Sequence, residues 1–218
     1  MRSVEELTSA ESSWPHVLDL LASSPFQSEV VPPAADQGAL TLAALQVSVH
    51  SFMGAIAWNS GVIAIDHGWI RLIGAGFRSV QRLHVEKLRN VRAAEEFEGI
   101  VVAHDALGGL FVVHGNGFDA EAGEVLYWAP DTLDWSRLGM GHASLVEFLL
   151  SERLAMFYAD LRWDGWEVFV EGLAYDQGVS AYPFPWTEEG AQPNVTRGAV
   201  PMSELVAFSF EAAEQLNP

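Results

Sequence analysis

The run from Gly108 to Leu149, GGLFVVHGNGFDAEAGEVLYWAPDTLDWSRLGMGHASLVEFL, constrains the fold more than any other stretch of the chain. It reads as a strand, a tight turn, a second strand, a turn bearing Asp and Trp, and then a helix with an apolar face. Aromatic and acidic residues crowd its second half, and they form no known catalytic constellation. Such a pattern suits holding a surface or a ligand better than performing chemistry.

The flanking sequence mixes short helices and short strands. Ser13 is a candidate N-cap for a helix from Trp14 to Leu21, with Pro15 in its first turn. Residues 23–38 hold three prolines and read as a loop. The alternation LQVSV over Leu45–Val49 predicts a strand, and Ser51 is placed to cap the helix FMGAIAWNS. Val62–Ile65 and Trp69–Ile73 flank Asp66–His67–Gly68 as a hairpin. Ser79–Ala94 has Val80, Leu83, Leu88 and Val91 partly on one helical face, which predicts a helix. Ile100–Ala103, Leu110–Val113 and Glu124–Trp128 are predicted strands. His142–Tyr158 is predicted to form one helix or two short ones, and Gly165 opens another through Leu173. After a Pro-rich aromatic segment, AYPFPW, a helix or strand near Glu204–Leu216 closes the chain. The order has no βαβ rhythm, no internal repeat and no long linker. It predicts one α+β domain over residues 1–218: a twisted, mainly antiparallel or mixed sheet with helices packed mostly on one face.

Composition narrows the function. The 218 residues are 50% hydrophobic and 18% charged, a globular balance, and eight tryptophans are a heavy load for that length. The net charge of −18 repels a phosphate backbone, which argues against nucleic-acid binding. Residues 93–218 carry 21 Asp and Glu against four Arg, whereas Arg71, Arg78, Arg82, Lys87, Arg89 and Arg92 supply six of the eleven basic side chains. That basic stretch reads as a solvated helix or as a docking strip for an acidic partner or face. The absence of cysteine excludes disulfides and thiolate metal sites. No signal peptide and no apolar run of about 20 residues is seen, so a cytoplasmic protein with no membrane partner is expected.

No catalytic residue, cofactor or metal site emerges from motif analysis. None of the seven histidines sits in HxH or HExxH; His67, His104 and His114 are the first suspects should a metal bind. There is no GxSxG. Gly115–Asn116–Gly117 lacks the spacing of a phosphate loop. Asp131, Asp134, Asp160 and Asp164 lie near Trp135, Trp163 and Trp166, which keeps a glycoside hydrolase open as an alternative, beside a metal-dependent one. The cluster LRWDGW at 161–166 is either a core corner, with Trp163 and Trp166 inward and Arg162 paired to an acid, or an interface hot spot.

Three blocks, GAIAWNSGVIAIDHGWIRLIGAG (54–76), the run over 108–141 and FYADLRWDGWE (157–167), with YPFPWT later, resemble domain-of-unknown-function family 2625 over about residues 40–190. The resemblance transfers no activity. A looser one, carried by Gly108–Gly109, Tyr127, Trp135 and Phe148–Leu149, is to the SUKH superfamily. Many of its members are immunity proteins against toxin nucleases, and others are adaptors. It implies a SUKH-like fold and a non-catalytic protein-binding module that docks a basic, toxin-like partner. The expected contact set is Asp119, Glu121, Glu124, Asp131, Asp134 and Trp135. The alternative from another class is a pocket for a sugar or nucleotide built on Asp66, His67, Trp69, Trp128 and Trp163, with Trp135 as a further stacking wall.

Overall fold

The computed structural model describes residues 1–191 and 194–216. Strand β7 (Glu124–Ala129) is buried at every position. A strand with no polar alternation must be covered on both faces, and the sheet around it is. Phe111, Val125, Tyr127 and Ala129 point into a large core under the helices. Leu110, Val112, Leu126 and Trp128 point into a smaller core on the opposite face, shared with Ala212 and Ala213.

The sheet has eight strands, all paired antiparallel: β1 (Ser28–Val31), β2 (Val62–Ile65), β3 (Ile70–Ile73), β4 (Val85–Asn90), β5 (Glu95–Asp105), β6 (Leu110–Asn116), β7 and β8 (Asp134–Gly141). The spatial order is β1-β2-β3-β5-β6-β7-β8. The long strand β5 pairs with β4 along its first half and with β3 along its second. On the large core lie α1 (Val4–Thr8), α2 (Trp14–Ser23), α3 (Gln37–Leu45), α4 (Phe52–Asn59), α5 (His142–Leu149), α6 (Arg153–Phe157) and α7 (Trp166–Glu171). A hairpin of β9 (Gln177–Tyr182) and β10 (Thr196–Pro201) then leads into α8 (Met202–Leu216), which covers the smaller core. The fold class is therefore α+β with an antiparallel sheet and most helices on one face, as the sequence predicts.

Several local expectations fail for identifiable reasons. The helix predicted over Ser79–Ala94 is strand β4. Its burial alternates, and its cross-strand partners are complementary: Lys87 faces Glu98 and Arg89 faces Glu96. Pairing with a downstream strand overrides the local helical spacing. The strand predicted at Leu45–Val49 is the end of α3, followed by Gln46 at φ 54°. Val49 makes single backbone links to Leu7 and Ser13 and no ladder. Residues 23–38 are not all loop, because Ser28–Val31 adds an edge strand to β2. The turn bearing Asp and Trp is shorter than expected, and Trp135 lies on strand β8.

The hairpin β2–β3 turns through Asp66 and His67, both at positive φ, with Gly68 at φ 81°. His142–Tyr158 is two short helices, and Ser51 caps α4 by accepting from the Gly54 N–H at 3.1 Å.

Candidate functional site

The expected contact set is divided between the two ends of β7. Asp119, Glu121 and Glu124 lie at the β6–β7 turn; Asp131 and Asp134 lie beyond the other end of the strand. Six strand residues separate the two groups by about 20 Å at ~3.3 Å per residue. Asp119 and Glu121 are exposed. Glu124 is not a free charge: Arg137 donates to it through Nη2 at 2.7 Å and Nε at 3.1 Å, and the Gly139 N–H adds 3.2 Å. The Arg137 guanidinium holds its carboxyl below the usual range. Asp134 pairs with Arg92 at 3.0 Å. Trp135 is buried in the smaller core, edge-on to Phe97, and its Nε1 donates to the Arg89 carbonyl at 2.9 Å. It anchors β4 and offers no ring to a partner.

The alternative pocket is likewise only partly assembled. Asp66 pairs with Arg162, whose guanidinium lies over Trp166 (4.1 Å), Trp69 (5.0 Å) and Tyr158 (5.8 Å). His67 is edge-on to Trp166. Trp163 joins this corner against Trp69 and Phe169. Trp69 is wholly buried, so it cannot stack on a ligand. Trp128 is wholly buried on the other face, stacked on Phe210 at 4.3 Å. LRWDGW is thus a corner in which Trp166 packs inward and Arg162 is paired. A cleft of about 630 Å³ does open beside Trp163, lined also by Asp131, Asp160, Asp164 and Arg197. Arg197 already covers the Trp163 ring at 4.3 Å.

Of the three suspect histidines, His114 is engaged within its own turn. Its Nε2 accepts from the Phe118 N–H at 3.2 Å, which leaves Nδ1 to donate to the Glu121 carbonyl at 3.2 Å. No group of three or more His, Asp or Glu side chains suited to a metal ion occurs among the described residues. No helix among them is long and apolar enough to cross a membrane.

Sequence reasoning passed over two features. The first is Asp105, wholly buried at the end of β5. Its Oδ1 accepts from the N–H of Leu107 (2.8 Å) and Gly109 (2.9 Å), and its Oδ2 from the hydroxyls of Tyr127 (2.7 Å) and Tyr158 (2.9 Å). A Cβ at Gly109 would stand 2.0 Å from Oδ2, which is why glycine sits there. Burial raises the carboxyl and both phenols. With every partner internal, this is a structural pin joining β5, β7 and α6.

The second is an aromatic ridge. Phe184 and Trp186 stack at 4.8 Å with their planes 9° apart. Phe208 of α8 packs on both, at 5.1 and 5.8 Å, and Tyr182 meets Phe184 edge-on at 5.5 Å. Tyr182 is 67% exposed and Phe208 41%. The signal was present in AYPFPW, where rings at 182, 184 and 186 crowd a short segment between prolines. Glu204 and Glu211 lie one turn before and after Phe208 on α8, and Glu188 and Glu189 follow Trp186; all four are exposed.

His142 opens α5 with both ring nitrogens shielded and unpartnered among the described residues, and burial brings it down to about 4. A depressed histidine contributes stability that is present above its unfolded value near 6.5 and is lost as pH falls through about 4. Around pH 5 unfolding therefore takes up one proton at this site, a slope of about 1.4 kcal/mol per pH unit. His104 titrates in the same sense and Asp105 in the opposite one. Replacing His142 with Phe isolates its share. Between pH 7 and pH 5, urea unfolding of His142→Phe should lose about 2 kcal/mol less stability than the wild type. Equal losses for variant and wild type would refute the assignment.

Against this geometry, sequence comparison supplies the family. The family described as "Protein of unknown function DUF2625" matches residues 4–205, and the chain belongs to it. One relative is the "Putative uncharacterized protein YbfG" of Escherichia coli K12, 31% identical over 218 residues, 98% of each chain. Another is an "Uncharacterized protein" of Haemophilus influenzae, 26% identical over 181 residues, 81% of this chain and 79% of the other. No solved structure matches.

Proposed function

We propose that this protein is a non-catalytic binding module that docks a basic protein partner, with the ridge Tyr182, Phe184, Trp186 and Phe208 as its anchor. The single observation that carries the reading is a connected row of four rings, partly open to solvent, beside four exposed glutamates. Aromatic rings lose little conformational entropy on binding and dominate interface hot spots. A rim of acids supplies steering toward positive charge. The net charge of −18 extends that field over the molecule, and Asp119 and Glu121 add to it from the β6–β7 turn. The SUKH-like block supports the same direction, and a toxin-like nuclease is the kind of basic partner it suggests. The Trp163 cleft favours a small ligand less, because Arg197 covers the ring.

The test is capture of a basic protein from the native host, followed by kinetics with the purified partner. Tyr182→Ala combined with Phe208→Ala should speed dissociation by about a hundredfold, since hot-spot truncations cost roughly 2 kcal/mol or more. Glu204→Lys with Glu211→Lys should slow association at low salt and matter little at high salt. The idea fails if the captured partner is acidic, or if its binding ignores both pairs of substitutions.

A further inference from the structure

The cluster of basic residues has a counterpart in space. Arg82 and Lys87 line a groove of about 690 Å³ bounded by segment 79–87, the second half of β5 and the start of α8. Ile73, Val101, Leu110 and Val206 give it an apolar wall, and His104 lies in its floor. His104 is 5% exposed, and its Nδ1 has no hydrogen-bond partner among the described residues. Helix α8, fifteen residues long, opens into the groove with Met202 and Ser203. The first turn of a helix presents N–H groups that have no partner within the helix, and it carries about half a positive charge. Here the Met202 N–H donates to the Asp176 backbone carbonyl at 2.7 Å, which leaves the N–H groups that follow it.

The cations of the groove are not spent on internal pairs. Lys87 has no ion pair among the described residues, and Arg82 makes one hydrogen bond, to the Leu40 carbonyl at 3.1 Å. Two acids share the lining, Glu86 and Asp176. The His84 Nε2 lies 3.2 Å from the Glu86 carboxylate. In a chain with 29 acids and 11 bases, Arg82, Lys87 and the helix N-terminus offset Glu86, Asp176 and the first-turn Glu204, so this cavity is far less acidic than the molecule as a whole.

We propose that this groove binds a phosphorylated small molecule of the size of a nucleoside monophosphate or a sugar phosphate. The phosphate sits among Arg82, Lys87 and the first turn of α8. The organic part lies along the Val101, Leu110 and Val206 wall, beside His104. The volume falls within the range of small-ligand sites. This site is distinct from the aromatic ridge and does not depend on it.

The probes are adenosine monophosphate, glucose 6-phosphate, inorganic phosphate and, as the uncharged control, adenosine. Amide NMR titration should show saturable binding of at least one phosphomonoester, with shifts at Lys87, Ser203 and Ala207. Arg82→Ala with Lys87→Ala should weaken it by about tenfold or more, the scale of charge-assisted contacts. Adenosine should bind at least about tenfold more weakly than its monophosphate. Ala207→Trp, at an exposed helix position lining the groove, should block binding while leaving the thermal midpoint unchanged. Tyr182→Ala with Phe208→Ala should leave binding intact, which separates this outcome from that of the partner experiment. The proposal is overturned if neither phosphomonoester binds up to roughly 10 mM, a free energy below about 3 kcal/mol. It is equally overturned if binding survives both the charge removal and the tryptophan.

Discussion

Asp105→Ala should remove about 4 kcal/mol of folding free energy, a large part of the roughly 5–15 kcal/mol that holds a domain together. The substitution removes four hydrogen bonds at once and strands two backbone N–H groups and two phenol hydroxyls. An unpaired buried donor costs about 1–3 kcal/mol, and relaxation recovers part of the sum. The carboxylate itself is expensive to bury, which is why its pKa is raised, and losing that cost offsets part of the damage. Tyr158→Phe removes one of the four bonds and should cost about 1–2 kcal/mol, so the series stays measurable even if the alanine variant expresses poorly. Urea unfolding with unchanged m-value is the measurement. A loss below about 1 kcal/mol for Asp105→Ala would show that water or neighbouring groups satisfy the orphaned donors, and that the pin is dispensable.

The sequence shows why this pin escapes a linear reading. Asp105 follows His104 at a strand end and looks like a turn residue, while its hydroxyl partners lie 22 and 53 positions downstream. Only β7 alternation, which puts Tyr127 on the large-core face, brings the first of them near. What was legible was local. The hairpins β2–β3 and β6–β7 announce themselves by apolar runs around positive-φ turns, and the Ser51 cap by its side-chain chemistry. What was not legible was pairing. Val85–Asn90 has apolar spacing compatible with a helix, and its strand state depends on Glu95–Ile100 as a partner. The same holds for the candidate site. Six residues close in sequence were expected to form one surface, yet β7 carries them to opposite ends, and β8 turns Trp135 inward. The aromatic alternation at 182–186 was visible, but Phe208, which completes the ridge, comes from a helix 22 residues beyond Trp186.

Trp128→Ala should cost about 3–5 kcal/mol and should loosen α8 before the rest of the fold. The indole is wholly buried and fills the centre of the smaller core. It stacks on Phe210 at 4.3 Å, meets Trp135 at 5.4 Å, and donates from Nε1 to the Ser209 hydroxyl at 3.0 Å. Those contacts tie α8 to the sheet, whereas the large core on the opposite face contains none of the residues involved. Removing the ring therefore opens a cavity under one helix and leaves the other seven helices seated. Amide exchange should rise in α8 by a larger factor than in β5 to β7, and limited proteolysis should cut first near the start or end of α8. Ser209→Ala, which strands only the indole N–H, should cost about 1–3 kcal/mol and show the same regional pattern at smaller amplitude. Uniform exchange across both cores would mean that the sheet couples them into one cooperative unit. If protection falls only in α8, then the helix carrying Phe208 and opening the basic groove is the least anchored part of the molecule. The free energy available to either binding event is then partly spent on holding that helix in place, and occupancy of one site should raise the protection of α8 seen in the wild type.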